Sequence, residues 1–380
     1  MKNYTYSGWK LNGFFALLVQ LAIAAGAGYL IYFASTLEQG FALPVIGAII
    51  LVLAGVIRID YDMISPGGLN EVGNVISVDA GYNQTGSFNT VSVYSVERIP
   101  LLTYLIGKLD NIVSIDETSE LVQMTDQESV SSGTIQKNVS INNAIILAYK
   151  TANKQISTNY HGLIVHTVYN DVTYDVKIGD VITKYNGENI TNEKEFRTNL
   201  VNDVRNGNDI KLTIYRDGTY HDVNYEPVWT KDKKSFYVGI SYYDYYTINE
   251  EETNPKFTLN KANTLGPSGG LMQALSVYNA ITEFDITLGL KIAGTGTIDI
   301  HGDVGPIGGI YQKVFTAYFS NADVFFVPVE LDEFGEIIKT EGSNYMEALK
   351  AYEVLGKPSS LAFVPVATFS DAVKYLESLK

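Results

Sequence analysis

The strongest restriction on this chain's fold is a turn that occurs twice: "LGPSGGLMQAL" at 265–275 and "VGPIGGIYQKV" at 304–314. In each copy a Gly-Pro pair ends an extended run, a glycine pair follows, and apolar residues then recur at helical spacing. Proline lacks an N–H and glycine reaches backbone conformations other residues avoid, so each copy predicts a strand-to-helix junction. Around them, "DITLGLKIAGTGTIDIHGDV", "DVFFVPV" and "LAFVPV" read as strands, and "KVFTAYFSNA", "NYMEALKAYEVLG" and the C-terminal "FSDAVKYLESLK" as helices. This alternation predicts an α/β (α+β) domain over 231–380.

At 380 residues the chain is long enough for two or three domains. It contains no cysteine, which removes disulfides and thiolate metal sites. A net charge of −15 argues against nucleic acid as a partner, since that needs a basic footprint. Leu11–Leu37 and Gln39–Ile57 carry no charged residue. Both approach the roughly 20 apolar residues needed to cross a bilayer. They predict a transmembrane helical hairpin within 1–60, with helices at 12–35 and 40–57, and hence lipid contact and a multi-pass membrane location. Lys2, Lys10 and Arg58 flank the pair, and the positive-inside rule then puts both ends in the cytoplasm.

Residues 61–158 read as a connecting α/β region, with a strand at "SFNTVSVYSVERI", a short helix at "IPLLTYLIGKLD", a polar loop over 115–138 and a helix over 141–156. Residues 159–230 read as a compact β-rich module. "HGLIVHTVYN" is a strand, Asn186-Gly187 turns a hairpin, Asn192 caps a helix, and Asp217-Gly218 turns a second hairpin. The segments "GLIVHTV", "KIGDVITKYNGENI" and "IKLTIYRDG" make this module resemble a PDZ domain of the bacterial, protease-associated kind. In place of the small-residue turn usual before the Gly-Asp pair it has "NDVTYDV". The resemblance implies capture of an extended peptide at a strand edge, here Leu163, Ile164 and Val165. A β-rich spacer with no ligand is the alternative.

Ser268 follows Gly266-Pro267 and precedes Gly269-Gly270, at the start of a helical pattern. A hydroxyl there lies beside unsatisfied N–H groups and the positive end of a helix dipole, as an acyl-transfer nucleophile requires. A plain N-cap serine fits the same place. Lys313 sits in an apolar context, "GPIGGIYQKVFTAYF". Burial could lower its pKa from about 10.4 far enough to make it a base. A lysine snorkelling from the helix start is the other reading.

Taken together, "GPSGG", "GTGTI" and "PIGGIYQK" resemble, in order, the motifs of the peptidase domain of Lon-type proteases. That resemblance implies a Ser268–Lys313 dyad, with Thr295 supporting it and Pro267 and Gly269 shaping the nucleophile loop. It also implies a serine endopeptidase with protein or peptide substrates and no cofactor or metal. The arrangement of membrane segment, PDZ module and peptidase resembles the membrane-anchored Lon-like PDZ proteases of Gram-positive bacteria. Relatives of that kind place the peptidase outside the cell, against the cytoplasmic side read from the charges, and often form rings, which makes a homo-oligomer an expectation. The acidic residue that many Lon proteases carry before the serine loop is missing from "NKANTLGPSGG". No G-x-x-x-x-G-K-[ST] loop occurs in the sequence, so cleavage is expected to be ATP-independent. Two other functions stay open. One is an inactive scaffold that binds peptides through the PDZ groove. The other is a hydrolase using Ser268, His301 and Asp303. No H-E-x-x-H occurs among the four histidines, which disfavours a zinc protease.

Overall fold

The computed structural model describes residues 25–33, 42–79, 81–119, 121–230, 234–261 and 264–380. Among the described residues no helix is long and apolar enough to cross a membrane. The first apolar run lies mostly outside the described residues, of which 25–33 are helical. The second forms helix α1, Ala42–Val56, of 15 residues. At 1.5 Å per residue it reaches about 22 Å, against a hydrocarbon core of about 30 Å. The transmembrane hairpin, the multi-pass location and the lipid contact read from these runs are therefore corrected.

The C-terminal part is built on a six-stranded mixed sheet. Its strands are β1 (Tyr61–Glu71), β2 (Ser87–Val96), β3 (Ser114–Glu117), β9 (Lys291–Gly294), β12 (Val324–Pro328) and β13 (Ala362–Val366), in the order β13-β12-β9-β2-β1-β3. The first four strands in that order run parallel, and β1 pairs antiparallel with both β2 and β3. Every residue of β12 is buried, as expected of a strand covered on both faces. Ile292, Val324 and Phe326 join the core under helices α2 (Asp126–Thr151), α4 (Gly270–Ile281) and α7 (Phe369–Glu377). Ala293, Phe325 and Val327 join the core under α5 (Ile310–Phe319) and α6 (Asn344–Val354).

Helix α2 replaces most of the polar loop expected over 115–138. It starts from a capping box: the Thr125 side chain accepts from the Glu128 N–H, and the Glu128 carboxylate accepts from the Thr125 N–H. Its polar first half shows no apolar period, whereas its second half is buried from Val139 to Tyr149 except at half-buried Asn142. Val139 packs with Ile164 and Val181 of the second sheet, while Ala144, Ile145 and Ala148 pack in the first core. One helix thus ties the two sheets together.

The second sheet is antiparallel, in the order β8-β4-β5-β6-β7. Its strands are β4 (Thr158–Val168), β5 (Val181–Tyr185), β6 (Ile210–Arg216), β7 (Thr219–Tyr225) and β8 (Ile240–Ile248). Helix α3, Glu193–Asn206, is capped by Asn192 and covers this sheet with Phe196, Leu200 and Val204. Strand β8, which the sequence placed with the C-terminal block, pairs along the whole of β4: Tyr242 opposes Val165, Tyr243 opposes Ile164 and Asp244 opposes Leu163. On its other side β4 pairs with β5 through Leu163 and Ile164. Leu163–Val165 therefore offer no open edge, and that part of the sequence reading is corrected: the chain's own strand already makes the ladder an outside peptide would make.

Candidate active site

Both glycine loops open a helix: the second follows a short strand at Val304–Gly305, whereas 264–269 before the first helix are not strand, and the two loops are brought together. Gly266 has φ +85°, a conformation that favours glycine, and the chain then turns through Pro267 and Ser268 into α4 at Gly270. A side chain at Gly270 would collide with the Ile298 side chain and with the Ser140 hydroxyl, both 2.8 Å from an added Cβ. The Pro267 carbonyl accepts hydrogen bonds from Ser140 Oγ at 2.9 Å and from the Gly270 N–H at 3.2 Å. The Ser268 carbonyl accepts from the Gly296 N–H at 2.9 Å. These bonds hold the nucleophile loop at both flanks and leave the half-buried Ser268 hydroxyl facing α5.

The second loop begins α5 at Gly309, in the left-handed conformation, packed against Ile64 and Val93. Residues 310–317 are all buried, so a lysine in this helix is held away from bulk solvent. Lys313 is 2% exposed, and its Nζ lies 2.9 Å from Ser268 Oγ and 3.1 Å from Thr295 Oγ1. Burial alone pushes its pKa down to about 7. Thr295 is fully buried, and its hydroxyl donates to the Ser268 carbonyl at 3.0 Å. That donation commits the one hydroxyl proton, so toward Lys313 the Thr295 oxygen can only accept.

Among the described residues, no hydrogen bond satisfies the N–H groups of Ser268 and Gly269. A cavity of about 260 Å³ opens beside the loop, lined by Pro267, Val139, Asn143, Tyr243, Ile298 and Asp303, among others. His301 is exposed in the turn after Asp299, and no hydrogen bond joins it to Ser268 among the described residues. Asp303 lines the cavity but is likewise unconnected to His301 by any such bond.

Residues 261–351 match the model of the Lon protease (S16) C-terminal proteolytic domain, and residues 149–226 match that of a PDZ domain. The chain is Lon-like, with a PDZ domain. A stretch of 65 residues is 40% identical to the Lon protease of Aster yellows witches'-broom phytoplasma (strain AYWB). It covers 17% of this chain and 8% of that protein. The Lon-type match is to a proteolytic domain and lies wholly within the C-terminal part of the chain. Ser268, Thr295 and Lys313 all fall inside the Lon-type match.

Sequence reasoning missed Ser140 and Tyr243. Ser140 lies at the seam between a segment read as loop and one read as helix, and the T-x-x-E pattern at Thr125–Glu128 was the signal that could have joined them. Tyr243 carried no signal at all. It sits in "SYYDYYTI", where no spacing separates the tyrosine facing the cleft from those facing elsewhere.

Proposed function

We propose that the chain is a serine endopeptidase that hydrolyses protein or peptide substrates through a Ser268–Lys313 dyad. The observation that carries this reading is a lysine amine, 2% exposed, within 2.9 Å of the hydroxyl in the nucleophile loop. No carboxylate pairs with that amine among the described residues, and burial favours its neutral form. Neutral Lys313 accepts the Ser268 proton as Oγ attacks the scissile carbonyl. Thr295 accepts one amine N–H, which turns the nitrogen lone pair toward Ser268. The unsatisfied N–H groups of Ser268 and Gly269 are the donors for the oxyanion. Lys313 then passes its extra proton to the leaving amine as the C–N bond breaks. Water, deprotonated by the same amine, cleaves the acyl–Ser268 ester and restores the dyad. This cycle uses no cofactor, and the 380 residues hold no P-loop, which supports a cleavage step that draws on no nucleotide.

The alternative of an inactive scaffold that captures peptides at Leu163–Val165 has no open edge to use. The test is digestion of an unfolded protein by the full chain without nucleotide, as wild type, Ser268→Ala, Lys313→Ala and His301→Ala. The reading expects cleavage by wild type and His301→Ala, and none by folded Ser268→Ala or Lys313→Ala. Cleavage that survives Lys313→Ala would sink it.

A further inference from the structure

Strand β8 does two things at once. It fills the strand-addition position of the PDZ sheet, and it brings a tyrosine to the cavity beside the nucleophile loop. On the PDZ side the Tyr242 ring meets Phe196 of α3 edge-on at 5.3 Å. The Asp244 carboxylate accepts from the Glu193 N–H at the start of α3 (2.9 Å) and from Tyr160 OH (2.8 Å). Those contacts and the β4 ladder fix the strand. Tyr243 points the other way, toward α2. Its ring stacks on His166 at 4.5 Å with an interplanar angle of 21°, and it packs with Val139 of α2. Burial lowers the His166 pKa to about 4, so this stacking partner stays neutral at physiological pH.

The cavity that Tyr243 walls also borders Pro267, the residue before Ser268, together with Val139, Ile298 and Val304. Its charged members are Asp299 and Asp303. Asp299 Oδ1 accepts three backbone N–H bonds, from His301, Gly302 and Asp303. The surface of the wall is mainly apolar, with Gln136, Ser140, Asn143 and Thr297 adding neutral polar groups and the two carboxylates on the side of the β10–β11 turn (β10, Thr297–Ile298; β11, Val304–Gly305). A volume of about 260 Å³ accommodates one large side chain.

We infer that Tyr243 is a specificity-determining residue: the PDZ module supplies one wall of a subsite that takes a bulky apolar side chain next to the scissile bond, and rejects acidic ones. The PDZ module then acts as part of the cleft, with its own strand as its ligand. This inference rests on the endopeptidase reading above.

The experiment is mass-spectrometric mapping of the bonds cut in an unfolded protein by the full chain, as wild type, Tyr243→Phe, Tyr243→Ala and Tyr243→Trp. A small serine-directed fluorophosphonate that carries no peptide side chain measures Ser268 reactivity alongside. Wild type is expected to favour Leu, Met or Phe over Ala about tenfold at one position flanking the cut, and to avoid Asp and Glu. Tyr243→Phe keeps that profile. Tyr243→Ala loses the size preference, and Tyr243→Trp moves it toward smaller residues. Fluorophosphonate labelling stays within about threefold of wild type in all of them, the scatter left when no transition-state contact is lost. An unchanged profile in both Tyr243→Ala and Tyr243→Trp overturns the inference, as does labelling that falls in step with cleavage. If wild type cuts in a Ser268-dependent way, that failure belongs to the inference alone. If wild type neither cuts nor labels, the endopeptidase reading falls first and takes the inference with it.

Discussion

The Thr295 hydroxyl donates to the Ser268 carbonyl at 3.0 Å while its oxygen lies 3.1 Å from the Lys313 amine. One side chain thus holds the nucleophile loop and orients the base. Thr295→Val keeps shape and volume but removes both bonds. The Ser268 carbonyl still has the Gly296 N–H at 2.9 Å, so the loop is expected to stay in place. A loss in kcat of about 10- to 100-fold with little change in KM is expected, as for a small misplacement of a catalytic group. Thr295→Ser should recover most of it. Equal loss in Thr295→Ser and Thr295→Val would assign the residue to packing, and steady-state kinetics on the three proteins decides.

The pH dependence follows from the burial of Lys313. The base must be neutral to accept the Ser268 proton, and its pKa is lowered to about 7. Activity should therefore rise with pH through about 7 and then level off. A histidine base would give a limb near 6.5, too close to separate by position alone. His301→Ala separates them: the limb survives if Lys313 carries it and disappears if His301 does. A kcat/KM profile of wild type and His301→Ala is the measurement.

The same burial destabilises the fold. A lysine at about 7 when folded and 10.5 when unfolded binds its proton more tightly in the unfolded chain. The cost is complete below about pH 7 and is relieved as pH rises toward 10.5, where both states hold the neutral amine. At about 1.4 kcal/mol per pKa unit it amounts to roughly 3–5 kcal/mol at or below neutral pH. Lys313→Met should thus raise denaturant stability, more at pH 6.5 than at pH 9.5, while abolishing cleavage. A gain that does not shrink with rising pH would mean that methionine acts by packing alone.

Much of this site was legible because its chemistry is local. Each half is a glycine turn followed by a helix, and turn chemistry is written in consecutive residues. The parallel core was legible for the same kind of reason: "DVFFVPV" is too uniformly apolar to be anything but buried. What escaped was long-range pairing. Nothing in "ISYYDYYTI" says that it pairs with "TNYHGLIVHTV" on the far side of α3, because alternation sets a strand's faces and leaves its partner open. The second N-terminal run failed for another reason. Apolar composition fixes the length a helix could have, whereas α1 stops at Val56 after 15 residues.

That hidden pairing yields the last prediction. Strand β8 is tethered to the sheet it completes, so an outside peptide must compete with a ligand at an effective concentration of about millimolar or more. A peptide that would bind an empty groove at about 10 μM should then bind the intact chain about 100-fold more weakly. Titration of full-length Ser268→Ala with extended apolar peptides, followed at the Leu163–Val165 amides, should show no binding at that edge tighter than about 1 mM. Asp244→Ala removes the bonds to Glu193 and Tyr160 that anchor β8, so any binding should appear first in that variant. Backbone hydrogen exchange supplies the local readout. Leu163–Val165 should be as protected in the free chain as the central β5–β6 pair, and adding peptide should not change them. Micromolar binding that exchanges β8 for peptide along Leu163–Val165 would show that the strand is a displaceable plug, and the PDZ module a recruiter of substrates after all.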